Sequence, residues 1–300
     1  MIHRSAAVAA LRGLAMGDAF GGTWFRRRFA VDNLRPGPWR WTDDTAMALV
    51  LLSVLEEHGT VDQDALALGF ARAYEADPYR HYGAGMHDVL PALGRGEPWA
   101  EVTRRQFDGR GSWGNGAAMR VAPLGAYFAD NQDQVQTEAV RSARVTHAHP
   151  EAAAGAAAVA LATALNMHGR LDLVAIADRL DDSDASRDPR PAAETVPDSD
   201  PRSDVARALR RVAEIAPDSD PRKVAAVVGC GRRMSAPDTV PFALWCAARH
   251  PADLEAALWA TASAGGDVDT TCAIVGGVVG ARTGLDRLPA EWLAAAEPAI

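Results

Sequence analysis

Apolar residues recur along this chain at intervals of three and four, and the runs are closed by Gly, Pro and Asp. That period belongs to helices, and those residues end them. The pattern predicts helices over Ala6–Phe20, Asp43–Glu57, Gln63–Glu75, Gly83–Leu93, Gly116–Phe128, Gln132–Val145, Glu151–His168 and Leu171–Leu180. Further helices are expected over Arg202–Ile215, Arg222–Cys230, Thr239–Ala248, Pro251–Ala262 and Asp269–Thr283. Alternating runs rich in Val, Ile and Tyr are nearly absent, so an all-α fold is expected. Small residues cover every face of Glu151–Leu165, which marks a central, closely packed helix.

No break in composition divides the chain, and residues 1–300 read as a single domain, with Asp181–Asp200 a polar surface loop. The hexapeptide PDSDPR occurs at Pro197–Arg202 and again at Pro217–Arg222. Each copy precedes an apolar run, and Asp followed by Pro suits a helix cap and first turn.

Composition narrows the function. The chain is 48% hydrophobic and 23% charged, with a formal net charge of −8. That balance disfavours binding to nucleic acid or to an anionic membrane by charge neutralisation. No apolar run approaches the roughly 20 residues that span a bilayer. Met1–Phe20 looks superficially like a signal peptide, but Arg12 interrupts it and no small-residue cleavage site follows, so it reads as a structural helix. Cys230, Cys246 and Cys272 are odd in number and lack metal-ligand spacing. They point to buried thiols in a reducing, cytoplasmic setting.

Three polar segments interrupt the apolar runs. The first holds Thr42, Asp43, Asp44 and Thr45 at a helix start. Capping explains one such Asp easily, and two adjacent carboxylates flanked by threonines less well. The second, after Gly265-Gly266, holds Asp267, Asp269 and Thr270, again at a helix start. Together they offer four carboxylates and two threonine hydroxyls, a set of hard oxygen donors suited to Mg²⁺ or Mn²⁺ rather than Zn²⁺. Four carboxylates exceed the charge of one divalent ion, and a pair of ions matches them better. The two segments lie far apart in the chain, so their convergence is an expectation that spacing does not itself carry. The third is a Gly-rich turn, Ser112, Trp113, Gly114, Asn115 and Gly116, followed by Met119. Such a turn leaves N–H groups free for phosphate oxygens, although no nucleotide-triphosphatase pattern is present. His147, just ahead of the small-residue helix, fits a structural hydrogen bonder or a ligand contact.

In combination these stretches resemble the ADP-ribosylglycohydrolase family, which includes the dinitrogenase-reductase-activating glycohydrolases. The resemblance rests on Gly13–Gly22, Trp41–Leu49, Gly114–Gly125, the segment around His147 and Gly265–Ala281, in family order and across nearly the whole length. It implies a compact orthogonal bundle of helices with two Mg²⁺ ions in a central cleft. Thr42, Asp43, Asp44, Asp267, Asp269 and Thr270 match the metal ligands, and Asp43, Asp44 and Asp269 the catalytic acids. Ser112–Gly116 with Met119 would face the diphosphate and distal ribose of ADP-ribose, with His147 nearby. The implied reaction is hydrolysis of the glycosidic bond at ribose C1″ of an ADP-ribosylated acceptor, with Asp44 taking a proton from water.

One departure stands out. Many members carry a Glu near the position of Phe25, whereas here no Glu precedes Glu56, and Asp32 is the one carboxylate between Asp18 and Asp43. The alternative is therefore a catalytically impaired ADP-ribose-binding protein. If the chain is active, a metal-bound Asp or Asp32 takes over the role of the Glu. The Arg26–Arg28 run reads as solvated or as attracting a phosphate-bearing acceptor. The acceptor itself, whether arginine, serine, a nucleic-acid base or a small ester, stays open. A diphosphate lyase of the terpene synthase kind fits poorly, because Ala46 and Met47 follow Asp43-Asp44 where its motif needs a further acid.

Overall fold

A computed structural model of the chain describes residues 3–25, 30, 34–182 and 203–300. The Arg26–Arg28 run, Asp32, the first PDSDPR copy and all but the start of the expected 181–200 loop lie outside them. Among the described residues every regular element is helical, apart from two isolated β-bridges. In chain order the first helices are α1 (Arg4–Gly22), α2 (Asp43–His58), α3 (Gln63–Ala76), α4 (Met86–Gly94) and α5 (Trp99–Arg104). A 3-10 turn over Asn115–Ala117 precedes α6 (Ala122–Tyr127), α7 (Gln132–Arg144), α8 (Pro150–Met167) and α9 (Leu173–Asp181). Then come α10 (Asp204–Ala213), α11 (Pro221–Val228), α12 (Ala236–Arg249), α13 (Leu254–Ala262), α14 (Val268–Thr283) and α15 (Ala290–Ala295).

The expected all-α architecture is present, with three differences. The predicted helix over Gly116–Phe128 is broken between Ala117 and Ala122. There the side chain of Arg120 turns inward, donating from Nη1 to the Gly116 carbonyl at 3.1 Å and from Nη2 to the Ser142 carbonyl at 2.8 Å. Helix α6 restarts with Pro123 in its first turn, where a missing N–H costs nothing. The other two differences are α5 and α15, each six residues long and each preceded by a proline, which the hydrophobic period did not reveal.

The centre of the fold is the pairing of α1 with α14. Gly13, Gly17 and Gly21 lie along one face of α1, against Cys272, Gly276 and Gly280 of α14. A methyl group added at Gly17 would stand 2.0 Å from the Cys272 carbonyl oxygen, and one at Gly276 would stand 2.2 Å from the Gly13 oxygen. Backbone therefore packs on backbone, and dispersion contacts are gained without intervening side chains. At the far end Gly21 lies against Val268 and Asp269, so the close approach brings Asp18 of α1 beside the start of α14. Helices α13, α12 and α8 cover the other faces of α14. As the sequence indicated, α8 is buried on all sides, from Ala152 to Ala164, apart from a part-exposed Leu165 beyond them. All three cysteines are buried free thiols.

Candidate functional site

Several helix starts here are closed by their own side chains. Asp62, Asn131, Asp172, Ser203, Asp220 and Asp253 each accept a hydrogen bond from a backbone N–H in the first turn of the helix they precede. This is the ordinary use of such residues, and Asp220 confirms it for the second PDSDPR copy. The two acidic starts singled out in the sequence behave otherwise. Neither Thr42 at α2 nor Asp267 at α14 caps its own helix with its side chain.

At α2 the capping is done from outside. Asp18, fully buried on α1, accepts from the Thr42 N–H at 2.8 Å, the Thr45 N–H at 3.1 Å and the Thr45 hydroxyl at 2.6 Å. The Thr42 hydroxyl lies 2.9 Å from Asp18 Oδ1 and 3.0 Å from Asp44 Oδ2. The Asp43 N–H donates to the Arg80 carbonyl at 2.7 Å. The N–H groups of Thr42, Asp43 and Thr45 are thus satisfied, and the carboxylates of Asp43 and Asp44 are left over. Asp18 was not singled out in the sequence. Its one visible signal is a carboxylate in the apolar face of a helix.

Asp43, Asp44, Asp267, Asp269 and Thr270 line one cavity of about 290 Å³. Segments more than two hundred residues apart therefore converge, as expected. The Asp267 carboxylate accepts from Asn115 Nδ2 at 2.7 Å, which ties α14 to the Gly-rich turn. Oδ1 of Asp44 and Oδ1 of Asp269 are buried without a hydrogen-bond partner. Such bare oxygens are uncommon and call for an explanation.

The electrostatics follow from crowding. Burial pushes the Asp43 carboxyl up to about 8, and the charge of Asp18 adds to it. Burial, with the charges of Asp18, Asp269 and Asp43, also drives Asp44 well above the usual carboxylate range. Asp269 rises strongly through burial and the charge of Asp267, and Asp267 rises more weakly. Asp18 is raised to about 6 by burial, against the pull of its four hydrogen bonds. Like charges at close quarters and a low dielectric both favour the protonated form. Behind the cluster lies Arg120, fully buried, with its guanidinium over Phe70 and its Nη2 3.0 Å from the Thr146 hydroxyl. Burial lowers it to about 9, so it remains a cation at neutral pH, and the charge of Asp43 supports it.

The opposite wall is the Gly-rich turn. Ser112, Trp113, Gly114, Asn115, Gly116 and Met119 all line the cavity, as does His147. A side chain at Gly114 or Gly116 would meet the His147 ring at about 3 Å, so glycine there lets the turn lie on the imidazole. Burial, then the charge of Arg120, holds His147 down to about 3, so the ring is neutral. The Thr146 hydroxyl lies 2.7 Å from its Nδ1. The turn is tied to the start of α12 by the Asn115 N–H on the Met234 carbonyl and the Ala236 N–H on the Trp113 carbonyl.

The rim was not foreseen. His81, Phe107 and Met234 line the cavity with φ values of 64°, 50° and 52°. With Asp108 they are the non-glycine residues in the left-handed region among those described. Strain of that kind gathers at functional sites. The Phe107 and Trp113 rings stand 4.9 Å apart. Arg233 is the one Lys or Arg among the lining residues described. Phe25, at the position of the absent Glu, lines a neighbouring cavity and packs its ring 5.0 Å from that of His81. Among the described residues no set of three or more His, Cys, Asp or Glu is arranged as a preformed metal site.

An all-helical protein with a carboxylate-filled cleft faced by a glycine turn is the class that fold and site define. Comparison with known proteins makes it specific: a profile described as ADP-ribosylglycohydrolase matches residues 1–298, and the chain belongs to that family. It is 32% identical over 268 residues to human ADP-ribosylhydrolase ARH3, covering 84% of this chain and 73% of the relative. The bovine ADP-ribosylhydrolase ARH3 is 31% identical over 316 residues, covering 94% and 86%. A solved structure described as an ADP-ribosylglycohydrolase-related protein complex superposes with a TM-score of 0.65 at 25% identity, covering 98% of this chain and 93% of that one. The chain is accordingly an enzyme of the glycohydrolase class. No helix among the described residues is long and apolar enough to cross a membrane.

Proposed function

We propose that this enzyme hydrolyses the glycosidic bond at ribose C1″ of an ADP-ribosylated acceptor, with the acidic cleft as its active site. The observation that carries the reading is the pair of bare oxygens, Asp44 Oδ1 and Asp269 Oδ1, at two helix starts whose N-cap side chains make no capping hydrogen bond. Oxygens buried without donors fit cations, and the hard donor set fits Mg²⁺, with Mn²⁺ an acceptable substitute. Thr42, Asp43, Asp44, Asp267, Asp269 and Thr270 would hold a pair of such ions. Bound there, the ions supply positive charge that keeps the carboxylates ionised and polarises ribose oxygens.

The chain's own residues do the rest. Asp44 takes a proton from the water whose oxygen bonds to C1″ as the bond to the acceptor breaks, and the proton passes on to the departing acceptor. Asp43 and Asp269 face the positive charge that develops on the ribose ring. The Thr146 hydroxyl accepts from Arg120 and has its own proton for His147 Nδ1, an arrangement that suits an Nε2–H donor beside Gly114. Backbone N–H groups of Ser112, Trp113 and Gly116 and the guanidinium of Arg233 suit the diphosphate. The Phe107–Trp113 pair suits the adenine ring.

ADP-ribose release from serine- and arginine-linked peptides, followed by mass spectrometry with Mg²⁺ and with a chelator, tests the reading. Metal-dependent release is expected. Phe25 in place of the Glu favours the alternative of a binding protein, and tight ADP-ribose binding with no release from any peptide would establish it. Within the main reading, Arg233→Ala should weaken ADP-ribose binding by about ten-fold or more, as loss of a charged hydrogen bond does. Calorimetry should show adenosine binding unaffected.

A further inference from the structure

We infer that Glu297 is a positioning residue for the acidic start of α2, acting through Arg80. The inference rests on the reading of Thr42–Asp44 as part of the active site. The segment after α15 runs alongside the approach to α2. The Trp39 N–H donates to the Ala295 carbonyl at 2.7 Å, and the Glu297 N–H returns to the Trp39 carbonyl at 2.9 Å. The Trp41 indole N–H reaches the Pro298 carbonyl at 3.4 Å. This docking delivers the Glu297 carboxylate to Arg80, whose Nη1 and Nη2 donate to it at 2.7 and 2.9 Å. A two-pronged pair of this kind fixes the plane of a guanidinium as well as its place.

Arg80 grips the turn before α2 at three points. Its guanidinium lies 3.5 Å from the centre of the Trp41 ring, its Nη1 donates to the Trp41 carbonyl at 2.9 Å, and its own carbonyl accepts the Asp43 N–H at 2.7 Å. Asp77 stands 2.9 Å from Nε. Only 11% of the Arg80 side chain is exposed, so the grip is shielded from water. Thr42 and Asp43 are thus held between Asp18 on one side and Arg80 on the other. Glu297 is the partner of Arg80 from the most distant part of the chain. Small displacements of reacting groups cost large factors in rate, so a residue far from the cleft in sequence governs it through two contacts.

The test uses the full chain with Glu297→Ala and Glu297→Gln, the latter keeping the shape and one acceptor oxygen. Hydrogen exchange should quicken in the peptide spanning residues 39–47 of the Ala variant and stay unchanged in α1 and α14. With an ADP-ribosylated peptide, kcat should fall about ten-fold and KM should stay within about two-fold. The Gln variant should fall between the Ala variant and the wild type in both measurements. Unchanged exchange at 39–47, exchange that quickens throughout the molecule, or a loss confined to KM would each overturn the inference. If the wild type releases no ADP-ribose, the reading of the site fails, and the exchange measurement still decides whether Glu297 orders the turn.

Discussion

Aspartate opens helices α9, α11 and α13, and it also marks the starts of α2 and α14, yet the same residue type is used in opposite ways. Asp172, Asp220 and Asp253 sit at the surface or near it, and each spends a carboxylate oxygen on the helix that follows. At α2 and α14 the carboxylates of Asp43, Asp44 and Asp269 are buried and crowd one another, and Asp44 and Asp269 each keep an oxygen bare. The first use returns about 1 kcal/mol of stability per cap. The second costs stability in the ion-free protein, because each buried charge is desolvated and repelled. The difference lies in who supplies the acceptor. Asp18 and the Arg80 carbonyl cap α2, so that Asp43 and Asp44 are free for chemistry.

Substitutions separate the two uses. Asp44→Asn or Asp269→Asn should lower hydrolysis by about 10²- to 10⁴-fold, the range of a lost acid–base group, while the melting temperature of the ion-free protein stays level or rises. A fall in melting temperature with activity kept would reverse the assignment. Next in size is the response to pH. Asp43 at about 8 and Asp18 at about 6 both stand above the unfolded value of 3.8. The folded chain therefore keeps protons that the unfolded chain releases, and its stability falls as pH rises from about 4 to about 8. Thermal melts in chelator between pH 5 and 8 should show this decline, and excess Mg²⁺ should flatten it; a rise with pH in chelator would contradict it.

Asp18→Ala should cost roughly 3 kcal/mol, since it strands buried N–H groups of Thr42 and Thr45, and activity should fall with it. Urea titration beside a peptide assay would show both. The smallest effect belongs to an ordinary cap. Asp253→Ala should cost about 1 kcal/mol and leave turnover as it was. An activity loss there would mean that the two kinds of helix start are less distinct than their hydrogen bonds indicate.

Much of this was legible from the chain and some was not, for physical reasons. Helix α8 was readable because small residues on every face leave burial as its one stable setting. The two acidic segments and the Gly-rich turn were readable as motifs because they interrupt apolar runs. Whether Asp43 and Asp267 cap or face a cleft was not, since a cap and a ligand use the same oxygens and the capping partner of α2 comes from α1. Asp18 and Arg120 were overlooked for a related reason. A single charged residue inside an apolar period looks like a flaw in the period, and its hydrogen-bond partners are brought in by distant elements. Helices as short as α5 and α15 owe their existence to packing rather than to period.

The contact between Gly17 and Cys272 limits how this enzyme can admit a substrate. Two helices whose backbones touch cannot be pried apart without losing the heart of the molecule, so the acidic ends of α1 and α14 behave as one girder. Whatever yielding the entrance needs must come from the segments around His81, Phe107 and Met234, where the main chain already bends against its preference. Ligand-induced adjustment should therefore be sought at the mouth, with the floor serving as a fixed reference frame.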